Sequence, residues 1–263
     1  MSKLNLGDLA SKLAKSIIFP IMSIFDKKED DLKVFKDPYG MSILYRNKSL
    51  DKLVLLEQYK WGEYCNVDVK NGDTVIDIGG HIGTSTISYS RLVGSDGYIH
   101  SIEADPTNYG ILSKNVKRNN LKNVSLYEMA IVGNNKVGEV EIIIDKNNTA
   151  GHSLYSSNID TSNKVTVPAM TLEVFCRENK VTKIDILHMD IEGAEFEILL
   201  NIDKAFLTKI PKIIFEYHDL FDTGHNHEEL VSLLNELGYK TEIEIPFLPK
   251  LLKLGTGIVY AHK

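Results

Sequence analysis

The chain has 263 residues, 43% of them hydrophobic and 25% charged, with a formal net charge of −6. That is enough apolar material for a full core without disulfide or metal staples, and the acidic balance argues against nucleic acid as a partner. Cys65 and Cys176 stand far apart, which excludes a disulfide framework or zinc knuckle and suits a cytoplasmic setting.

Residues 1–31 differ in character from the rest of the chain. Leu4, Leu9, Leu13, Ile17, Ile21 and Ile24 recur at near-helical spacing. The densest apolar run, 17–25, is broken by Pro20 and falls short of the roughly twenty residues a membrane span needs. It lacks a small-residue cleavage site, which argues against a signal peptide. The stripe over 1–25 is expected to pack against the catalytic domain or a second copy in a homodimer. Peripheral docking on a membrane is the alternative. A charged linker, 26–31, then leads into a domain expected to span 32–263.

Within that domain, 33–45 reads as a hairpin turning at Asp37-Pro38-Tyr39-Gly40, and 50–64 as a helix with Leu53, Leu56 and Tyr59 inward. These elements, 32–70, are expected to lie over the ligand side of the core, 71–263. The core opens with Val75, Ile76 and Ile78, the apolar run of a strand covered on both faces. Gly79 and Gly80 permit a sharp turn near a ligand, and Gly83 permits close packing of the next helix. The second strand ends at Glu103, about twenty residues on, where a carboxylate can hold both hydroxyls of a ribose. The ligand therefore reads as a nucleoside.

The turn lacks the first glycine of a dinucleotide fingerprint, because Ile78 occupies that position. Asp77 at the strand end would repel a pyrophosphate and suit a cation. D-x-G-x-x-x-G followed by a ribose-binding acid resembles motif I of class I methyltransferases, whose cofactor S-adenosylmethionine carries a sulfonium and no phosphate.

A helix follows, with Lys114, Lys117 and Arg118 on its solvated face. Residues 124–130 read as the third parallel strand, with Ala130 at its end placed near an adenine. Two strands, 137–144 and 165–168, flank a long polar loop, 145–164, of the kind that is usually functional. A helix at 171–178 leads to the run 184–189, which delivers Asp190 and Glu192 to its C-terminal end, where ligands bind in open α/β sheets. Glu195 adds a third acid at the same strand–helix junction, more than helix capping requires. The fifth strand, 212–217, is followed by His218. A helix at 228–237 and strands at 239–245 and 256–262 close the chain. His152, His225 and His227 are weaker candidates; the H-x-H pair with Glu228 has metal-ligand chemistry but reads as solvent-facing.

Together these segments resemble the FkbM family of S-adenosylmethionine-dependent methyltransferases. The resemblance rests on DIGGHIG, EADP, NYGILSKNVKRNN with LKNVSLYEMAIVG, and HMDIEGAEFEILL, spanning roughly 72–216. The D-x-E-G-x-E element is its most recognisable part. The implied fold is an α/β, doubly wound, mostly parallel seven-stranded sheet with a terminal antiparallel strand pair. The implied cofactor site comprises Asp77, Gly79, Gly80, His81, Gly83, Glu103, Ala104, Ala130 and Asp190. The implied acceptor is a hydroxyl on a sugar, glycan or secondary metabolite. Two residues depart from the family pattern: His81 replaces an asparagine of the turn, and His188 replaces a lysine before Met189.

Methyl transfer to a hydroxyl needs an aligned nucleophile and a group to take its proton. Asp190, Glu192, Glu195 and His218 are the candidates. A divalent cation held by Asp190 and Glu192 stays an open alternative, and no metal ligand is assigned. A nicotinamide-dependent oxidoreductase and a non-catalytic nucleoside-binding scaffold are the competing readings.

Overall fold

The computed structural model describes residues 32–47, 49–56, 58–59, 68–133, 138–144, 164–219, 225–245 and 255–263. The expectations for 1–31, for 145–163 with His152, and for 60–64 lie outside the described residues. Among those described, no helix is long and apolar enough to cross a membrane.

The first hairpin forms where Asp37 can organise its own turn. Its Oδ1 accepts from the backbone N–H of Tyr39 at 2.9 Å and of Met41 at 2.7 Å. Strands β1 (Leu32–Lys36) and β2 (Ser42–Arg46) pair antiparallel on either side. Helix α1 (Asp51–Leu56) follows. The hairpin is anchored to the core by Asn115, whose amide oxygen accepts from Leu44 N at 2.6 Å and whose amide donates to Leu44 O at 2.9 Å.

The core begins with β3 (Thr74–Ile78), α2 (Thr84–Val93), β4 (Tyr98–Glu103), α3 (Pro106–Arg118) and β5 (Val124–Glu128). Asp105 caps α3, accepting from Thr107 N at 2.6 Å, and Pro106 supplies the preset first turn. Next come β6 (Ala130–Ile131), β7 (Gly138–Ile143), β8 (Lys164–Met170) and α4 (Leu172–Glu178). The chain continues through β9 (Ile186–Met189), α5 (Ala194–Asn201), α6 (Lys204–Leu207) and β10 (Lys212–His218). It ends with α7 (His227–Glu236), β11 (Lys240–Glu244) and β12 (Thr256–His262).

The main sheet has seven strands in the order β11-β12-β10-β9-β3-β4-β5. β12 pairs antiparallel with both β10 and β11, so it alone runs against the rest. Successive residues of the central strands feed opposite cores. Ile76, Leu187 and Ile213 pack with Phe175, Phe196 and Phe215 on one face. Val75, Ile186 and Ile214 pack with Tyr89 and Val93 on the other. Burial on both faces explains why these strands read as continuous apolar runs. The fully buried Phe175 and Phe215 each contribute about 1.5–3 kcal/mol of transfer free energy.

One expectation is corrected. Residues 124–130 are not a single strand: β5 stops at Glu128, and Ala130 opens β6 in a separate three-stranded sheet ordered β6-β8-β7. Met129 N, donating to Glu103 O, makes the last bond to the main sheet, and beyond it Val132 N is taken by Met170 O of β8.

Candidate functional site

A cleft lies along the C-terminal ends of β3, β4, β9 and β10, with an empty volume of about 1120 Å³ including its open mouth. Behind its wall, at the end of β3, lies Asp77, which the sequence assigned to the cofactor site and which does not itself line the cleft. The carboxylate is wholly buried and accepts from Thr86 Oγ1 at 2.6 Å and from Ser85 Oγ at 3.0 Å. His188, its cross-strand neighbour on β9, lies 2.8 Å away through Nδ1. Asp77 therefore ties β3, β9 and the first turn of α2 together, behind the wall of the cleft.

The glycines beside it answer to the protein's own packing. At Gly79, φ is 86°, and a Cβ would lie 1.9 Å from the backbone oxygen of Asp190. At Gly80 a Cβ would meet Ser101 Oγ at 2.4 Å, and at Gly83 it would meet Leu112 Cδ1 at 2.8 Å. Close approach to a ligand was the expectation at the first two. The structure places the neighbouring loop and strand there instead. Gly79 still lines the cleft; Gly80 and Gly83 do not.

His81 has left-handed backbone, φ 48°, which histidine and asparagine adopt more readily than most residues. Its N–H donates to Glu103 Oε2 at 2.7 Å, and Asp105 N donates to Oε1 at 2.8 Å. Burial pushes the Glu103 carboxyl up from its ordinary range, against these two bonds and the His81 charge. Each oxygen keeps a second lone pair. The His81 ring is held from the hairpin side: Nε2 lies 3.2 Å from Arg46 Nη2 and 3.4 Å from Asp51 Oδ1. Burial would raise Asp51, but His81 and Arg46 together hold it well below the usual carboxylate range. Arg46 also donates to Asn108 Oδ1 at 2.7 Å.

At the other end of the cleft, the loop between β9 and α5 carries Asp190 and Glu192. Glu195 is fully buried and accepts from Ile191 N at 2.9 Å and Gly193 N at 2.7 Å. That grip holds Glu192 at φ 52°, a strained backbone for a non-glycine residue and one that clusters at functional sites. His218, at the end of β10, faces three carboxylates. Nε2 is 3.4 Å from Glu192 and 3.9 Å from Glu216, and Nδ1 is 3.6 Å from Glu195. Burial alone would lower the His218 pKa, but Glu192, Glu195 and Glu216 raise it well above the ordinary value. Burial likewise raises Asp190, while His218 and His188 pull it down.

A group whose folded pKa exceeds its unfolded value stabilises fully below the unfolded value and loses that contribution as pH rises through the folded one. For His218 the loss begins near pH 6.5 and extends upward. Asp190 and Glu103 act with the same sign, starting from the carboxylate range. Melting temperature in chelator should therefore fall from pH 6.5 toward pH 9. His218→Gln should flatten that slope; an unchanged slope would assign the effect elsewhere.

Of the expected cofactor residues, Gly79, His81, Glu103, Ala104, Ala130 and Asp190 line the cleft. Of the expected catalytic residues, Asp190 and Glu192 line it, while Glu195 and His218 stand behind them. Sequence reasoning missed Asn108 and Glu216, which also line it, and the Arg46–Asp51 pair. Glu216 was detectable, since it shares a strand face with His218 at a spacing of two. The other three carried no local signal. His227 and His225 pair with Asp219 and Glu229, at 3.1 Å and 2.7 Å, and take no part in the cleft.

The profile of the methyltransferase FkbM domain matches residues 77–241. A segment of 63 residues, 23% of this chain, is 36% identical to the antimetabolite synthetase AmbE of Pseudomonas aeruginosa and spans only 3% of that protein. Among solved structures, an S-adenosylmethionine-dependent methyltransferase from Aquifex aeolicus is 16% identical over 81% of this chain and 95% of its own, with a TM-score of 0.46. An S-adenosylmethionine-dependent O-methyltransferase from Thermotoga maritima is 15% identical over 88% of this chain and 77% of its own, with a TM-score of 0.46.

Proposed function

The chain belongs to the FkbM family of S-adenosylmethionine-dependent methyltransferases, and from that premise we propose that it methylates a hydroxyl oxygen on a sugar, glycan or secondary metabolite. The observation that carries the reading is the charge of the cleft wall. Glu103, Asp105, Asp190, Glu192 and Glu216 line it, and among the described residues no lysine or arginine does. Such a wall favours a sulfonium cation and opposes a pyrophosphate, which sets the nicotinamide reading aside.

The residues present fit the cofactor. Glu103 has lone pairs left for ribose hydroxyls after its two backbone bonds. Ala104, Ala130 and Met129 offer an apolar wall to an adenine, and Gly79, His81 and Asp190 flank the remainder. When bound, the cofactor supplies a methyl group on an excellent leaving group. The protein's part is to align the acceptor and take its proton. Glu192, Glu195 and Glu216 raise the His218 pKa well above its ordinary value, so His218 serves as a counter-charge to these carboxylates rather than as the base expected from the sequence. Asp190, made more basic by burial, and Glu192 are the proton acceptors.

Calorimetric titration should show saturable binding of S-adenosylhomocysteine and no comparable binding of NAD. Mass spectrometry of an acceptor pool incubated with isotopically labelled S-adenosylmethionine should then find the label on a hydroxyl-bearing compound. Label recovered only on nitrogen or carbon would remove the oxygen assignment. We place the enzyme in the cytoplasm, with 1–25 serving dimerisation or peripheral membrane contact.

A further inference from the structure

We propose that Asp190, Glu216 and His218 bind one divalent cation of the Mg2+/Mn2+ class at the β9–β10 end of the cleft. One ligand atom from each lies within 4.8 Å of the other two. In an octahedral site with bonds of about 2.1–2.2 Å, ligand atoms stand roughly 3 Å apart when adjacent and roughly 4.4 Å when opposite. Small side-chain movements would bring this trio to that geometry. Two carboxylate oxygens and one imidazole nitrogen form a mostly hard donor set, which suits Mg2+ or Mn2+ better than a thiophilic metal; the cation takes the place of the His218 proton, which is released on binding.

The spacing around His218 separates this arrangement from an ordinary ion pair. A charged imidazole free to pair with a carboxylate makes a bond of about 2.7–2.9 Å. Here three carboxylates surround the ring at 3.4, 3.6 and 3.9 Å, and none closes to that length.

The backing of the ring is a second, independent observation. Nε2 faces Glu192 and Glu216, while the buried Nδ1 faces the buried carboxylate of Glu195. A ligating histidine characteristically turns its other nitrogen to a carboxylate, which fixes tautomer and orientation. Glu195 also grips Ile191 N and Gly193 N, so one buried side chain orients both the histidine and the loop bearing Asp190. Glu195 is a positioning residue here.

Three protein ligands leave coordination positions open on the side where Asp190 and Glu216 line the cleft. A cation there can hold an acceptor oxygen and lower its pKa. This consequence rests on the hydroxyl-transfer reading; the binding site itself does not.

The test uses the full chain, stripped with chelator and returned to neutral buffer. Mn2+ is titrated and its free signal followed by electron paramagnetic resonance, while S-adenosylhomocysteine binding is measured on the same preparation. One Mn2+ per chain is expected. Glu216→Gln and Asp190→Asn should each weaken it at least tenfold, and Glu195→Gln about 10–100-fold. Melting in chelator checks each variant's fold; if Asp190→Asn unfolds, the more exposed Glu216→Gln decides. Absence of saturable Mn2+ binding, or binding that Glu216→Gln leaves unchanged, overturns the site. S-adenosylhomocysteine binding without Mn2+ binding removes the cation alone, whereas Mn2+ binding without the nucleoside product counts against the methyltransferase reading.

Discussion

Asp77→Ala is expected to destabilise the protein by about 3–5 kcal/mol, a large part of the stability of an ordinary domain. The carboxylate is fully buried and joins three elements through Thr86, Ser85 and His188. Alanine would leave two hydroxyls and an imidazole nitrogen to find new partners in a site closed to water, and that desolvation cost exceeds the net worth of the bonds. Asp77→Asn should cost less, because an amide keeps one acceptor oxygen of the same shape. The measurement is chemical denaturation of both variants with the midpoint and slope recorded. A shift under about 1 kcal/mol for alanine would mean that the network is not what holds the strand ends together. Cofactor binding should fall in both variants, since the turn bearing Gly79 and His81 starts from this residue.

Glu103→Ala is expected to weaken binding of S-adenosylhomocysteine by about 1–3 kcal/mol, roughly five- to 150-fold. Two effects add. The direct contact with a ribose is lost, and the N–H groups of His81 and Asp105 lose the acceptor that fixes both ends of the cleft's β4 side. Glu103→Gln separates them: its amide oxygen can hold one of the two N–H groups, while the NH2 that replaces the other oxygen is a donor and cannot accept the second. Its binding loss should be smaller than that of alanine, with a milder change in melting temperature. Equal affinity in wild type and alanine variant, by calorimetry, would remove Glu103 from the nucleoside site.

The fold was legible because its signals are local. Val75, Ile76 and Ile78 announce a strand buried on both faces, and Asp37 and Gly40 announce a turn. The strand–helix alternation and the D-x-E-G-x-E element were sufficient to assign the family that the profile over 77–241 identifies. The split of 124–130 into β5 and β6 was not legible. Both halves are extended, and the choice between sheets depends on which strand receives each N–H, a matter decided by Met170 and Glu103 in space.

For the site, sequence placed several acids of the cleft at the sheet edge without their division of labour. Asp77, Glu103, Asp190 and Glu192 follow from strand ends, since period-two and period-3.6 patterns fix where a strand stops and a turn begins. Which carboxylate faces the cleft and which is spent on the backbone has no such pattern. Glu192 and Glu195 read alike in one helical turn, yet Glu195 is buried on two N–H groups and Glu192 lines the cleft. Asp51, thirty residues before His81 in the chain, reaches its ring only through the packing of the hairpin on α3. The sequence by itself determined the order of elements and the acids at their ends, because those depend on neighbours along the chain. Tertiary structure alone decided the pairings, burial and charge state of those acids, because electrostatic energy depends on distance through space and on solvent access.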